Sequence, residues 1–397
     1  MWSIFNIFAL YKLIEMSDKR YKIVYCTPSL YMAGGVERVL TLKANYFADI
    51  YGYDVTIITT DGNDKPNFFP LSKSVKVLNL DINFEEMWHR SFLKRLCLYI
   101  PKEKRFKKRL TEELYRIRPD ITISLLRREI NFLTDIHDGS KKIGEIHINR
   151  AHYRNFTPNR SNPFKAIFAS YWKHGLVEKL KRLDRFVVLT EYDRQAWQEI
   201  PRVDVIPNPL PFYPDQVPAV RRQQIIAVGR YFDEKGYDML LKAWEIVERT
   251  SNDWELDIYG DGNKPYYEKI AASLNLDKKR CRLNDSISDV QKEYLDSSLF
   301  VCTSRFEGFG MGIVEAMACG LPVVAFDCLW GPRSIITDGE DGLLVENGYI
   351  EKMADTILSL INHPERISEM GKNARRNVQR FNIDAVAKKW KRLFDSL

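Results

Sequence analysis

The sequence predicts an α/β protein made of two Rossmann-like, doubly wound parallel sheets that face each other across a cleft. Three observations predict it. Short apolar runs alternate with amphipathic stretches along nearly the whole chain, the β-α-β pattern from which parallel sheets are built. The alternation comes in two series, separated at residues 206–218 (IPNPLPFYPDQVP) by a stretch containing five prolines. The length, 397 residues, suits two domains of roughly 100–200 residues each.

The elements follow in order. Residues 21–27 (YKIVYCT) read as a buried strand. A loop with Gly34 and Gly35 leads into a helix over 36–51, with Val36, Val39, Leu40, Ala44 and Phe47 on one face and Gly52 as its stop. Residues 54–60 (DVTIITT) form the next strand. Further strands are expected at 75–80, 120–126, 142–148, 185–189 and 203–206, with helices at 106–117 and 191–199. Proline fixes φ and removes a donor, so 206–218 is a linker. The second series places strands at 224–228, 254–259, 281–283, 299–303 and 322–326. Its helices fall at 238–250, 266–274, 290–297 and 312–318, and helices at 351–361 and 385–394 close the chain. The expected organisation is an extension over 1–16, a first domain over 17–210, a second over 211–378 and a terminal segment over 379–397.

Composition narrows the class. Hydrophobic residues make up 45% and aromatics 12%, which excludes a chain dominated by disorder. The six cysteines are scattered with no CxxC spacing. That argues against a disulfide framework or a zinc cluster and fits a reducing cytoplasm. Residues 1–14 are apolar but too short to span a bilayer, and they lack the basic start of a signal peptide. They read either as an interfacial helix or as sequence preceding a true start at Met16. No other segment is long and apolar enough to cross a membrane. The net charge of +7 is uneven: from Arg90 to Arg118, eleven Lys and Arg stand against three Glu. A patch of that kind suits a phosphate-rich partner, and a solvated helix face fits as well.

Chemistry concentrates in residues 304–326 (SRFEGFGMGIVEAMACGLPVVAF). Gly308, Gly310 and Gly312 let the backbone approach a ligand, and the following helix N-terminus favours an anion such as a diphosphate. Glu307 and Glu315 bracket the turn. Carboxylates repel phosphate, so they suit sugar and ribose hydroxyls. The plain alternative makes Glu307 a helix cap and Glu315 a solvated helix residue. In the loop 228–236 (VGRYFDEKG), Arg230 and Lys235 lie at the carboxyl end of a strand, where open α/β sheets bind ligands. Two cations there can neutralise a departing diphosphate. The Gly34-Gly35 loop is either a ligand approach or a tight turn. His147 ends a short strand (EIHIN, 145–149); a lone His is more often a structural hydrogen-bonder, and as one pole of a cleft it is a candidate contact for a reacting group or its proton. There is no Asp-x-Asp, no P-loop and no GxSxG sequence.

Together these residues resemble the retaining glycosyltransferases of family 4, which have the two-domain GT-B fold. The resemblance runs from about Lys22 to the end. It rests on an E-x7-E pattern (Glu307, Glu315) within EGFGMGIVEAMACGLPVV, on GGVERV near the start, on the Arg230 and Lys235 loop, and on CLWGPRSIITDGEDGLLV. It implies a sugar moved from a nucleotide diphosphate sugar, most often a UDP-sugar, to a glycan or lipid-linked saccharide in bacterial polysaccharide or lipopolysaccharide synthesis. It implies that Glu307 binds donor-sugar hydroxyls, Glu315 the ribose, and Arg230 and Lys235 the diphosphate. Gly34, Gly35, Gly308, Phe309, Gly310 and Met311 would line the donor, with His147 near the transferred sugar. No metal or other cofactor is expected, and no nucleic acid partner. A cytoplasmic protein is expected, docked on the inner membrane face through Lys102, Lys104, Arg105, Lys107, Lys108 and Arg109. The terminal helix carrying Trp390 is expected to cross back onto the first domain. An inverting transferase or epimerase on the same scaffold, or a non-catalytic sugar-nucleotide or polyanion binder, stays open. Donor base, acceptor and oligomeric state are not readable.

Overall fold

The computed structural model describes residues 19–87, 91–153, 175–287, 289–328 and 330–397. The expected extension over 1–16 lies outside the described residues. Among these, no helix is long and apolar enough to cross a membrane.

The chain forms two α/β units. The first sheet contains β1 (Lys22–Cys26), β2 (Asp54–Thr59), β3 (Lys76–Asn79), β4 (Ile121–Ser124), β5 (Lys141–Glu145), β6 (Arg185–Val188) and β7 (Val203–Val205). Their spatial order is β3-β2-β1-β4-β5-β6-β7, every pairing parallel. The second contains β8 (Gln224–Val228), β9 (Glu255–Tyr259), β10 (Cys281–Asn284), β11 (Leu299–Cys302), β12 (Val323–Asp327) and β13 (Gly342–Glu346). Their order is β10-β9-β8-β11-β12-β13, again all parallel. Central strands such as KIVYC and LFVC are almost wholly buried. That is why they read as continuous apolar runs rather than alternating ones.

Each sheet reverses its winding between two neighbours, β1 and β4 in the first and β8 and β11 in the second. Loops leaving such neighbours diverge and open a crevice at their carboxyl ends. This topology carries the 229–236 loop and the 303–310 loop to the same place.

Among the described residues, the regular helices that matter for the site are α1 (Gly35–Asp49), α2 (Phe92–Ile117) and α3 (Glu191–Ala196) in the first unit, then α4 (Tyr237–Thr250), α5 (Lys264–Ser273), α6 (Val290–Asp296) and α7 (Met311–Ala318). The last three are α8 (Ile350–Ile361), α9 (Pro364–Val378) and α10 (Ile383–Asp395). Val386, Ala387, Trp390, Leu393 and Phe394 of α10 join the core of the first sheet, among Phe47, Tyr53 and Ile23. The tie is reinforced where Tyr21 Oη donates to Asp395 at 3.0 Å and Tyr46 Oη donates to Asp384. The segment between β7 and β8 is pinned rather than loose. Leu210 N donates to Phe381 O at 2.8 Å, and the Arg375 guanidinium sits 4.1 Å from the Tyr213 ring.

Several sequence expectations need correction. Helix α2 begins at Phe92, not at residue 106, and carries Pro101 within it. Strand β5 stops at Glu145, so His147 lies beyond the strand instead of ending it. Strand β13 and helix α9 were not anticipated. In α9 (PERISEMGKNARRNV) Ile367, Met370, Ala374 and Val378 form only a thin buried stripe among charges, and Gly371 permits close approach to Gly320 O. The basic stretch is also not one solvated face. Lys102 turns inward, donating to Ile82 O at 2.6 Å and Asn83 O at 2.8 Å and pairing with Glu86 at 3.1 Å. Arg109 donates to Leu80 O and Asp81 O. Both satisfy carbonyls of a turn in which Asp81 and Asn83 take positive φ, so neither is available to a membrane. Lys104, Arg105, Lys107 and Lys108 remain exposed.

Candidate active site

The second unit builds the more open half of the site. After β8 the chain runs through Gly229 and Arg230 into a short turn ending at Lys235, and Gly236 starts α4. Gly236 has φ +62°, and a side chain there would strike Thr303 O. Only glycine permits this loop to lie against the end of β11. Thr303 Oγ1 donates to Lys235 O at 3.1 Å. Arg305 fastens the loops further, pairing with Asp238 at 2.8 Å and donating to Asp233 O at 2.7 Å.

The consequence is a contact between the two sequence motifs. Lys235 Nζ lies 2.6 Å from Glu307 Oε1, and Ser304 Oγ donates to the same oxygen at 2.7 Å. Burial opposes the Lys235 charge, but the Glu307 carboxylate outweighs it and raises the Lys235 pKa. Glu307 is therefore a partner of Lys235 and not a helix cap. Arg230 behaves differently. It is largely exposed, paired with Glu234 at 2.7 Å and laid over Phe232 at 4.9 Å.

Helix α7 starts at Met311, after Gly310 at φ +109°. Glu315 lies about one turn in and is buried, which excludes the solvated alternative. Burial pushes its pKa up, and Arg38 and Tyr294 partly offset this. The Phe309 ring is buried edge-on to Phe381 at 5.3 Å, so Phe309 offers only its backbone to a ligand.

The first unit contributes the facing wall. Gly34 is the N-cap of α1 and Gly35 its first residue, near Met311. Glu37 folds its carboxylate back over Gly34 and accepts its own backbone N–H, filling the helix N-terminus with a negative charge. Burial pushes Glu37 up. Arg38 reaches across the cleft to Glu315 at 2.7 Å. The 145–149 loop touches the second unit directly. Asn149 Nδ2 donates to Glu307 O at 3.2 Å, and a side chain at Gly308 would run into His147 O. The His152 ring stacks on Phe306 at 3.5 Å. A cleft of about 780 Å³ opens here, lined by Tyr31, Glu37, Arg127 and His152 on one side and Glu234 and Phe306 on the other.

The structure thus brings Lys235, Glu307, Glu315, Gly308, Gly310, Met311, Gly34, Gly35 and the His147 backbone to one cleft, and leaves Arg230 at its rim. Sequence reasoning missed Glu37, Arg38, Glu145 and Asn149. The first two stand inside GGVERV and the others inside EIHIN, so proximity to a named motif was the available signal. Among the described residues no group of three His, Cys, Asp or Glu is arranged to hold a metal ion.

Two families match the chain: "Glycosyltransferase Family 4" over residues 33–211 and "Glycosyl transferases group 1" over residues 214–377. An uncharacterised glycosyltransferase of Haemophilus influenzae is 30% identical over 377 residues, covering 93% of this chain and 99% of that protein. A poly(ribitol-phosphate) alpha-N-acetylglucosaminyltransferase of Staphylococcus aureus is 30% identical over 266 residues, covering 66% of this chain. The matched part spans only 52% of that relative's length. The crystal structure of Anabaena HepE with UDP and glucose superposes with a TM-score of 0.72 at 17% identity, covering 95% of this chain and all of that one.

Proposed function

The chain belongs to glycosyltransferase family 4, with the GT-B fold, and from that premise we propose that it moves a sugar from a UDP-sugar to a saccharide acceptor of bacterial surface polysaccharide, with retention at the anomeric carbon. The observation that carries this reading is the Lys235–Glu307 contact at the switch point of the second sheet, with Glu315 in the helix that follows. In this reading the contact offers a fixed cation and a carboxylate for the sugar, and the helix that follows offers a carboxylate for the ribose.

In this reading the diphosphate lies between the Gly34-Gly35 turn and the start of α7. Lys235 neutralises the leaving phosphate, and Arg230 swings in from the rim to share that charge. Glu307 accepts donor-sugar hydroxyls, Glu315 the ribose hydroxyls, and His147 stands beside the transferred sugar. The bond from the anomeric carbon to the diphosphate oxygen breaks as the acceptor oxygen bonds on the same face. The acceptor proton passes to the leaving phosphate. With two cations taking up the negative charge, the reading asks for no metal. Glu37 and Arg38 occupy places the donor needs, so UDP displaces Arg38 from Glu315 and the Glu37 carboxylate from the α1 N-terminus. The HepE complex with UDP and glucose supports the choice of nucleotide. The S. aureus relative, whose name gives poly(ribitol-phosphate) as its acceptor, supports a polymeric acceptor.

The test is release of nucleotide from UDP-, GDP- and ADP-sugars, with and without a lipid-diphosphate saccharide, followed by NMR of the product anomer. Turnover of a UDP-sugar with the anomer kept supports the reading. An inverted anomer or preference for GDP refutes the corresponding part. Absence of turnover and of any donor-induced thermal shift refutes the whole.

A further inference from the structure

A second charge cluster lies under the first unit's side of the cleft, and the reaction above gives two of its members, Lys43 and Glu145, no task. Lys43, in the third turn of α1, pairs with Glu145, the last residue of β5; their side chains are 1% and 2% exposed. His147 Nε2 lies 3.3 Å from Glu145 Oε1 with its side chain 7% exposed. Among the described residues, neither buried ring nitrogen has a hydrogen-bond partner, and Glu145 Oε2 has none either. Lys43 Nζ also sits 4.6 Å from the Trp390 ring and 5.7 Å from that of Tyr25, which closes the cluster off beneath α10.

Stability alone does not account for such a pair. Desolvating two charges costs about what their attraction returns, and an apolar pair of the same shape does as well. The pair does hold a carboxylate in its charged form beside an imidazole. Burial by itself would push Glu145 up, but Lys43 and His147 outweigh it and bring the pKa down to about 2. A carboxylate on one ring nitrogen decides which nitrogen carries the proton. The same loop grips the donor loop, through His147 O against Gly308 and Asn149 against Glu307 O. Whatever fixes the ring therefore fixes it relative to Glu307.

We infer that Lys43 and Glu145 are positioning residues for His147: Lys43 anchors Glu145, and Glu145 Oε1, 3.3 Å from Nε2, is the acceptor toward which the ring turns its Nε2 proton, which fixes the ring and with it the 145–149 loop against the donor loop. This rests on the reading that the transferred sugar lies beside His147.

The test uses the full-length protein labelled with 15N-histidine, with the His147 signals identified by their loss in His147→Gln. The expected wild-type spectrum without donor shows a proton on Nε2. Glu145→Gln should move that proton or mix the tautomers. It should lower kcat about tenfold or more, the usual cost of losing an orienting partner, with the donor KM nearly unchanged. Should Glu145→Gln fold poorly around an unpaired lysine, Lys43→Met/Glu145→Gln removes both charges and is read the same way, with near-UV circular dichroism as the check on folding. A His147 spectrum identical in wild type and variants, or a wild-type Nε2 without its proton, overturns the inference. Failure of the functional reading appears separately, as no turnover by the wild type with any donor, and the spectrum then decides the positioning alone.

Discussion

Each sheet places one lysine–glutamate pair near its carboxyl edge, and the two pairs differ in access. Lys235 and Glu307 sit on loops at the switch point, with side chains 23% and 12% exposed. Lys43 and Glu145 sit on a helix and a strand end and are sealed. Loops at a switch point diverge and leave room for a ligand, whereas a helix packed on its sheet leaves none. A half-open pair can exchange its partner for a substrate. A sealed pair can only hold its neighbours.

That contrast breaks most visibly when the lysines are removed. Lys43→Met strands a buried carboxylate and should cost about 3–5 kcal/mol of stability, measured by urea unfolding. Lys235→Met should cost about 1 kcal/mol. Equal losses would mean the two sites do not differ in kind. The activity comparison runs the other way. Lys235→Met should lower kcat roughly 10²–10³-fold, the scale of one lost charge-stabilising group, while the fold stays intact. A kcat within a few fold of wild type would remove Lys235 from the chemistry.

Acid sharpens the comparison. The Glu145 carboxyl titrates at about 2 in the folded protein against an ordinary 4.5. The unfolded chain therefore takes up the proton first as pH falls. The stabilisation is complete above about pH 4.5, is lost on descending through that window toward pH 2, and amounts to roughly 3 kcal/mol. Urea midpoints between about pH 5 and pH 3 should fall less steeply in Glu145→Gln. Parallel slopes would show that Lys43 does not hold the charge.

The smallest effect concerns the cleft. Arg38 holds Glu315 at 2.7 Å before any donor arrives. Arg38→Ala should tighten UDP binding about fivefold by calorimetry, since a partly exposed pair is worth about 1 kcal/mol. Weaker binding would instead make Arg38 a ligand of the nucleotide.

The motifs that read well in the sequence are contiguous. Glu307, the glycines and Glu315 share one strand-turn-helix unit, so spacing alone aims both carboxylates at one crevice. Lys235 followed from its place after a strand. The direction of Phe309 was not legible, because a residue inside a glycine-rich turn can point either way, and its ring joined the core at Phe381. The basic stretch misled because charge counts do not show direction: Lys102 and Arg109 satisfy carbonyls of the turn after β3.

Two parallel-sheet domains, the proline-rich passage between them and the donor motif were determined by the sequence itself, because periodicity, glycine and proline act within a few residues. Which charges meet was decided only by tertiary structure. Arg38 and Glu315 are 277 residues apart and Lys43 and Glu145 are 102 apart. Nothing local distinguishes a lysine destined for a sealed pair from one on a solvated face. That choice is made when α1 settles on its sheet and α10 closes over it, because burial is what forces each charge to find its partner.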